Sequence, residues 1–291
     1  MRLAEVIQFD ALDAGVVFPE QFDARFIAEG DSWFSLNALP MNFFTADNLL
    51  NHLRFPGSAL IAQMANPGDT IRRMSDWTRN PAFRQALRHG YGPGVDGILV
   101  SGGGNDLIDA APRLLRRFGP GVTEDPLSFI DAGAMQLLRN YLHEGYARIV
   151  EWRDAPGSAT RDVPIFLHCY DRVVPRDAPA AAGPGTTGPW LLPVLERLGY
   201  PDALHRTVAF ALVDALAATL IALDAWQSPG GAHALPKVYV YDGRGSLTAA
   251  DAGARGLSGD WLNEIHPSSS GYERYAGGFS AFIDAHFPGT D

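Results

Sequence analysis

Four short segments carry residue types that could do chemistry together. The first is Gly30-Asp31-Ser32-Trp33, directly after a short apolar run. A hydroxyl at a strand-to-helix turn is exposed, and a helix N-terminus favours the negative charge that develops there. Serine alone is a weak nucleophile and requires a base. The bland reading of Ser32 is a helix N-cap. The second is Ser101-Gly102-Gly103-Gly104-Asn105-Asp106, again after an apolar run. Its glycines let a ligand come close to the backbone, and the Asn105 amide is a donor suited to an oxyanion. An Asx-type turn is the plain alternative. A phosphate loop fits poorly: there is no G-x-x-x-x-G-K-[ST], and Leu107 occupies the last position of a would-be G-x-G-x-x-G. The third, Ala65-Asn66-Pro67-Gly68-Asp69-Thr70, offers the Gly68 amide to the same crevice or is a Pro-Gly turn. The fourth, Trp261-Leu262-Asn263-Glu264-Ile265-His266-Pro267, supplies a base, His266. The rival base is His168; the other histidines read as surface or satisfied core.

Short apolar runs alternate with longer amphipathic stretches, which predicts an α/β fold with a mainly parallel sheet. Strands are expected at residues 25–29, 58–64, 97–101, 164–169 and 238–241. Helices are expected at 126–153 and 209–226, and a last helix is expected to start at a capping box made by Ser270 and Glu273. Residues 177–189, DAPAAAGPGTTGP, read as a loop. In an open parallel sheet the carboxyl ends of the strands form the ligand crevice. Ser32, Gly68, Asn105 and His266 each follow a different strand, so the sheet gathers them on one edge; the 177–189 loop is either at its rim or a solvated linker.

Composition narrows the partners. A net charge of −10 makes phosphate-backbone binding a poor expectation, so nucleic acid is not expected. One cysteine, Cys169, excludes an intramolecular disulfide framework and any multi-cysteine zinc site. No basic leader and no run of 18 apolar residues is seen. The expectation is a single cytoplasmic domain over residues 1–291 with no membrane span.

From Phe26 to Phe282 the sequence resembles the SGNH (GDSL-type) hydrolases. The resemblance is carried by GDSWFSL at 30–36, ANPGDT at 65–70, GGGND at 102–106 and NEIHP at 263–267. It implies a flavodoxin-like three-layer α/β/α sandwich around a parallel five-stranded sheet, and no metal or organic cofactor. It implies Ser32 as nucleophile and His266 as general base. The Ser32 amide, the Gly68 amide and the Asn105 side chain would form the oxyanion hole. The implied function is a serine esterase acting on a small-molecule ester. An acyltransferase would use the same site, and a binding module for carbohydrate or lipid would keep the fold without the turnover.

Two positions depart from the family pattern. Trp33 stands where leucine is usual, and Asn263 stands where the family places the aspartate that orients the histidine. Aspartate fixes the imidazole tautomer and stabilises the imidazolium; an asparagine carbonyl does the first of these in Cys-His-Asn proteases. Three orienters for His266 are open: Asn263 itself, a nearby carboxylate (Asp260 or Asp242), or a backbone carbonyl. Glu264 is the less attractive choice. Trp33, Phe34, Phe43 and Phe44 are candidates to line an acyl pocket and Trp190 to cap it, although aromatic clusters are more often core.

Overall fold

A computed structural model describes residues 1–287 except 13, 14, 16, 36–46, 124, 183 and 184. Six strands form one parallel sheet: β1 (Glu5–Gln8), β2 (Ala24–Gly30), β3 (Ala59–Gln63), β4 (Gly97–Ser101), β5 (Ile165–His168) and β6 (Val238–Tyr241), in spatial order β6-β5-β4-β2-β3-β1. The sheet therefore has six strands where the sequence predicted five. The extra one, Glu-Val-Ile-Gln, lies at the edge beside β3 and carries only two apolar residues. An edge strand is half exposed, so the sequence shows no buried run there. The five expected strands are present with ends shifted by two residues at most. β2, β3, β4 and β5 are buried on both faces and mostly apolar, with Glu29, Gln63 and His168 among the buried polar exceptions.

Eight helices are described: α1 (Ser32–Ser35), α2 (Ile71–Met74), α3 (Pro81–His89), α4 (Gly104–Leu114), α5 (Ala132–Arg153), α6 (Leu192–Leu198), α7 (Asp202–Ile221) and α8 (Ser269–His286). α5 packs against α2, α3, α4 and α7, while α8 packs against β6 and the 49–55 segment. Three helical expectations and one loop expectation are corrected. The 126–153 stretch is broken: a 3-10 turn covers Pro126–Phe129, and α5 starts afresh after Asp131, whose carboxylate accepts the Ala134 amide at 2.8 Å. The helix predicted at 209–226 begins seven residues earlier, straight after Pro201, and ends at Ile221. α8 is capped by Ser268, which accepts the Gly271 amide, and not by Ser270; Glu273 instead reaches Arg54 at 3.2 Å. The 177–189 stretch holds a small antiparallel hairpin, Ala180–Ala182 with Gly185–Thr187. One helix, α7, is long and apolar enough to cross a membrane by length and composition, but half of it is buried inside this fold.

The register of β2 against β4 sets up the site. Gly30 lies opposite Ser101, and a Cβ on Gly30 would sit 2.8 Å from the Ser101 Cβ. Only glycine permits that approach. Both strands thus end together, and the chain leaves them toward Ser32 and Asn105 at the point where the strand order reverses.

Candidate active site

Ser32 is the first residue of α1 and is almost fully buried. Its Oγ lies 2.8 Å from His266 Nε2. His266 arrives from the long loop between β6 and α8 and sits in a tight turn, in which the Leu262 amide donates to the His266 carbonyl. Asn263 Oδ1 closes this turn by accepting the Ile265 and His266 amides at 3.1 and 2.9 Å, and it also lies 3.0 Å from His266 Nδ1. Two backbone N–H groups can only donate, so the atom they face is the amide oxygen. That oxygen takes a proton from Nδ1 as well. The imidazole then carries hydrogen on Nδ1, and its Nε2 lone pair is left to accept from the Ser32 hydroxyl. Burial with a neutral partner holds His266 down at about 4, so the ring is unprotonated at neutral pH.

Of the side chains the sequence left open, Asn263 is the one within hydrogen-bond distance of His266 Nδ1. Asp260 accepts the Thr248 amide and pairs with Arg274, and Asp242 pairs with Arg244 at 2.7 Å. Glu264 points the other way and accepts amides from Trp190, Leu191, Leu192 and Arg176. The buried Arg176 guanidinium donates to the carbonyl of Asn263 at 2.7 Å and to those of Ala254 and Gly256. Arg176 and Glu264 thus pin the histidine turn from both sides. Neither role is visible in the sequence, because both depend on segments brought together from far along the chain.

The candidate oxyanion donors Gly68 and Asn105 come from the loop before α2 and the first turn of α4, which brace each other. Asn105 Nδ2 donates to the Asp69 carbonyl at 3.0 Å, and Asp106 Oδ2 accepts the Ile71 amide at 3.1 Å. One amide proton of Asn105 remains beyond that bond. Gly68 has φ +81°, a conformation that favours glycine, and sits next to Asp69. The amides of Ser32 and Gly68 have no acceptor among the described residues. Ser32 and Asn105 line one cavity of about 50 Å³; Gly68 stands outside its wall.

A second Ser-His-Asp network surrounds Ser101 and His168. Ser101 Oγ lies 2.9 Å from Asp31 Oδ1 and 2.9 Å from His168 Nε2, and Tyr170 donates to Asp31 Oδ2. Asp31 Oδ1 also accepts the Trp33 amide, so Asp31 and not Ser32 caps α1. The rival base His168 is fully buried, faces Ser101 and is held at about 4 by desolvation.

The aromatic candidates divide. Trp33 borders the cavity and stacks on His168, with its edges met by Tyr170, Tyr272 and Tyr275. Phe34 is core, not pocket: it is wholly buried against His168. Trp190 does not border the cavity but meets the His266 ring edge-on at 5.5 Å. Phe43 and Phe44 lie outside the described residues.

No family model and no curated protein matches the sequence. Solved structures do match. A lipase from a goat rumen metagenome superposes with a TM-score of 0.53 at 14% identity, over 89% of this chain and 96% of that one. A carbohydrate acetylesterase from Sinorhizobium meliloti gives 0.51 at 12% identity, over 91% of this chain and 100% of that one. The chain shares the fold of these two structures, a parallel sheet flanked by helices, as the resemblance implied.

Proposed function

We propose that a chain with this fold acts as a serine esterase, with Ser32 as nucleophile, His266 as general base and Asn263 as the orienter of His266. The observation that carries the reading is the continuous chain Ser32 Oγ–His266 Nε2, His266 Nδ1–Asn263 Oδ1, at 2.8 and 3.0 Å. Ser32 Oγ attacks the ester carbonyl carbon while His266 Nε2 takes its proton. The carbonyl oxygen becomes an oxyanion against the Ser32 amide, the Gly68 amide and the Asn105 side chain, donors worth about 3 kcal/mol each. The C–O bond to the alcohol breaks, and His266 returns the proton to the departing oxygen. Water, deprotonated by the same nitrogen, then releases the acid from Ser32. Ser101 is not a second nucleophile in this reading. It is fully buried, and its hydroxyl is shared between Asp31 and His168.

The test is hydrolysis of p-nitrophenyl acetate by the wild type and Ser32→Ala side by side. The expected outcome is a loss of at least about a thousandfold in the variant. Equal rates would overturn the proposal.

A further inference from the structure

The cavity behind Ser32 has a definite chemistry. Its walls are Leu107 and Ile108 of α4, Val213 and Leu216 of α7, and Val173 and Leu191 from the segment leading into α6. Two carboxylates also border it, and both are engaged elsewhere. Asp31 is held by Ser101 and Tyr170, while Asp171 accepts the amides of Gly245 and Leu247 at 2.6 and 2.8 Å. What enters is therefore uncharged and apolar. Leu107, Val213 and Leu216 are themselves buried where α4 and α7 pack, so the wall is part of the core and yields little. The volume is about 50 Å³. A dry cavity of about 150 Å³ holds a benzene ring, so this one holds only a few carbon atoms.

Resting on the reading of Ser32 as nucleophile, we infer that this cavity is the acyl subsite and admits the tails of short, straight carboxylic acids, about two to four carbons in all. With the carbonyl between Ser32 and Asn105, which share the cavity wall, the alkyl tail points inward between α4 and α7. The alcohol part of the ester is left on the open side. Buried Leu107, Val213 and Leu216 form its inner wall, so each methylene beyond its depth meets core side chains. One methylene in an apolar pocket discriminates by roughly 10- to 200-fold.

The experiment measures kcat/KM for p-nitrophenyl acetate, butyrate, hexanoate and octanoate with the wild type, Ser32→Ala, Val213→Ala and Ile108→Phe. The wild type is expected to prefer acetate or butyrate and to fall about tenfold or more at hexanoate. Val213→Ala should raise the hexanoate-to-butyrate ratio by about tenfold, and Ile108→Phe should lower the butyrate-to-acetate ratio by a similar factor. Thermal melting shows which variants are folded, and either folded variant suffices. A Ser32-dependent rate that climbs through octanoate would overturn the inference and leave the esterase reading standing. So would variants that scale all four esters alike. No Ser32-dependent rate on any ester would overturn both.

Discussion

At Asn263 a single atom type decides how the base behaves. The amide oxygen fixes the His266 tautomer as a carboxylate would, but it brings no charge to stabilise the imidazolium formed during attack. Burial therefore holds His266 at about 4 with no neighbouring charge to offset it. The catalytic form is the neutral ring, so wild-type kcat/KM should stay level as pH falls from 7 to 5 and drop only near 4. Asn263→Asp should move that acid limb upward by more than one pH unit, because an adjacent carboxylate favours the protonated ring. The same change should raise kcat at pH 8 about tenfold or more; a pH profile from 4 to 9 reads both. The residues of the site were legible in the sequence because hydroxyl, amide and imidazole each followed the end of a strand. What the sequence left open was the partner of His266. A turn that folds Asn263 Oδ1 onto Nδ1 is a matter of three residues' backbone geometry, and composition does not reveal it.

Among the elements, the loop that carries the base is the one most in need of support. Twenty-seven residues separate Tyr241 from Ser269, and they hold no described helix or sheet strand. Glu264 supplies the anchor: its two oxygens collect four backbone N–H groups, three of them at the start of α6. A glutamine has one oxygen for those donors and turns an NH₂ toward the rest. Glu264→Gln should therefore lower kcat about tenfold or more with KM changed less, since His266 shifts relative to Ser32 while the acyl cavity stays. Melting should fall by about 2–4 kcal/mol in stability, the cost of buried donors left unpaired. A kcat unchanged within twofold would mean that the turn holds itself. Element identity followed from hydrophobic runs, and boundaries failed where capping chemistry decided them. Asp131 restarts α5 and Ser268 starts α8, each chosen over a neighbour by tertiary position. The edge strand β1 escaped notice because an edge has only one buried face.

For the molecule as a whole, the central sheet carries an acid that has no role in the proposed chemistry. Glu29 lies in β2, fully buried, with Asn80 and the Gly30 amide as partners. Burial pushes it from the ordinary 4.5 up to about 8. The folded protein keeps a proton there that the unfolded chain releases above 4.5, so stability is lost progressively as pH rises toward about 8. Asp31 and Asp106, raised to about 6, act in the same direction but finish earlier. His168 and His266, held at about 4, act in the opposite sense, because the unfolded chain takes up their protons below 6.5. Between pH 6.5 and 8 the slope contributed by these five groups belongs to Glu29. The wild-type melting temperature should fall across that interval, and Glu29→Gln should flatten the fall. A parallel slope in the variant would place the effect elsewhere. That the sheet is parallel was legible from the alternation of runs, whereas its strand order was not, and a glutamate inside β2 runs against the rule that reads such runs as apolar.

The buried network behind the nucleophile has one more consequence. Asp31 holds the Ser101 hydroxyl from one side and His168 faces it from the other, with its Nε2 at 2.9 Å and its Nδ1 3.3 Å from the Cys169 carbonyl. At Ser32 the hydroxyl faces His266 alone among the described residues. The chain therefore holds two serine–histidine pairs that differ in what stands on the far side of the serine. Where a carboxylate stands there, the serine oxygen is tied down as a strut between strands. Where none does, the oxygen is left for the incoming carbonyl of the proposed chemistry. One carboxylate, bonded to the first serine and not to the second, separates scaffold from reagent.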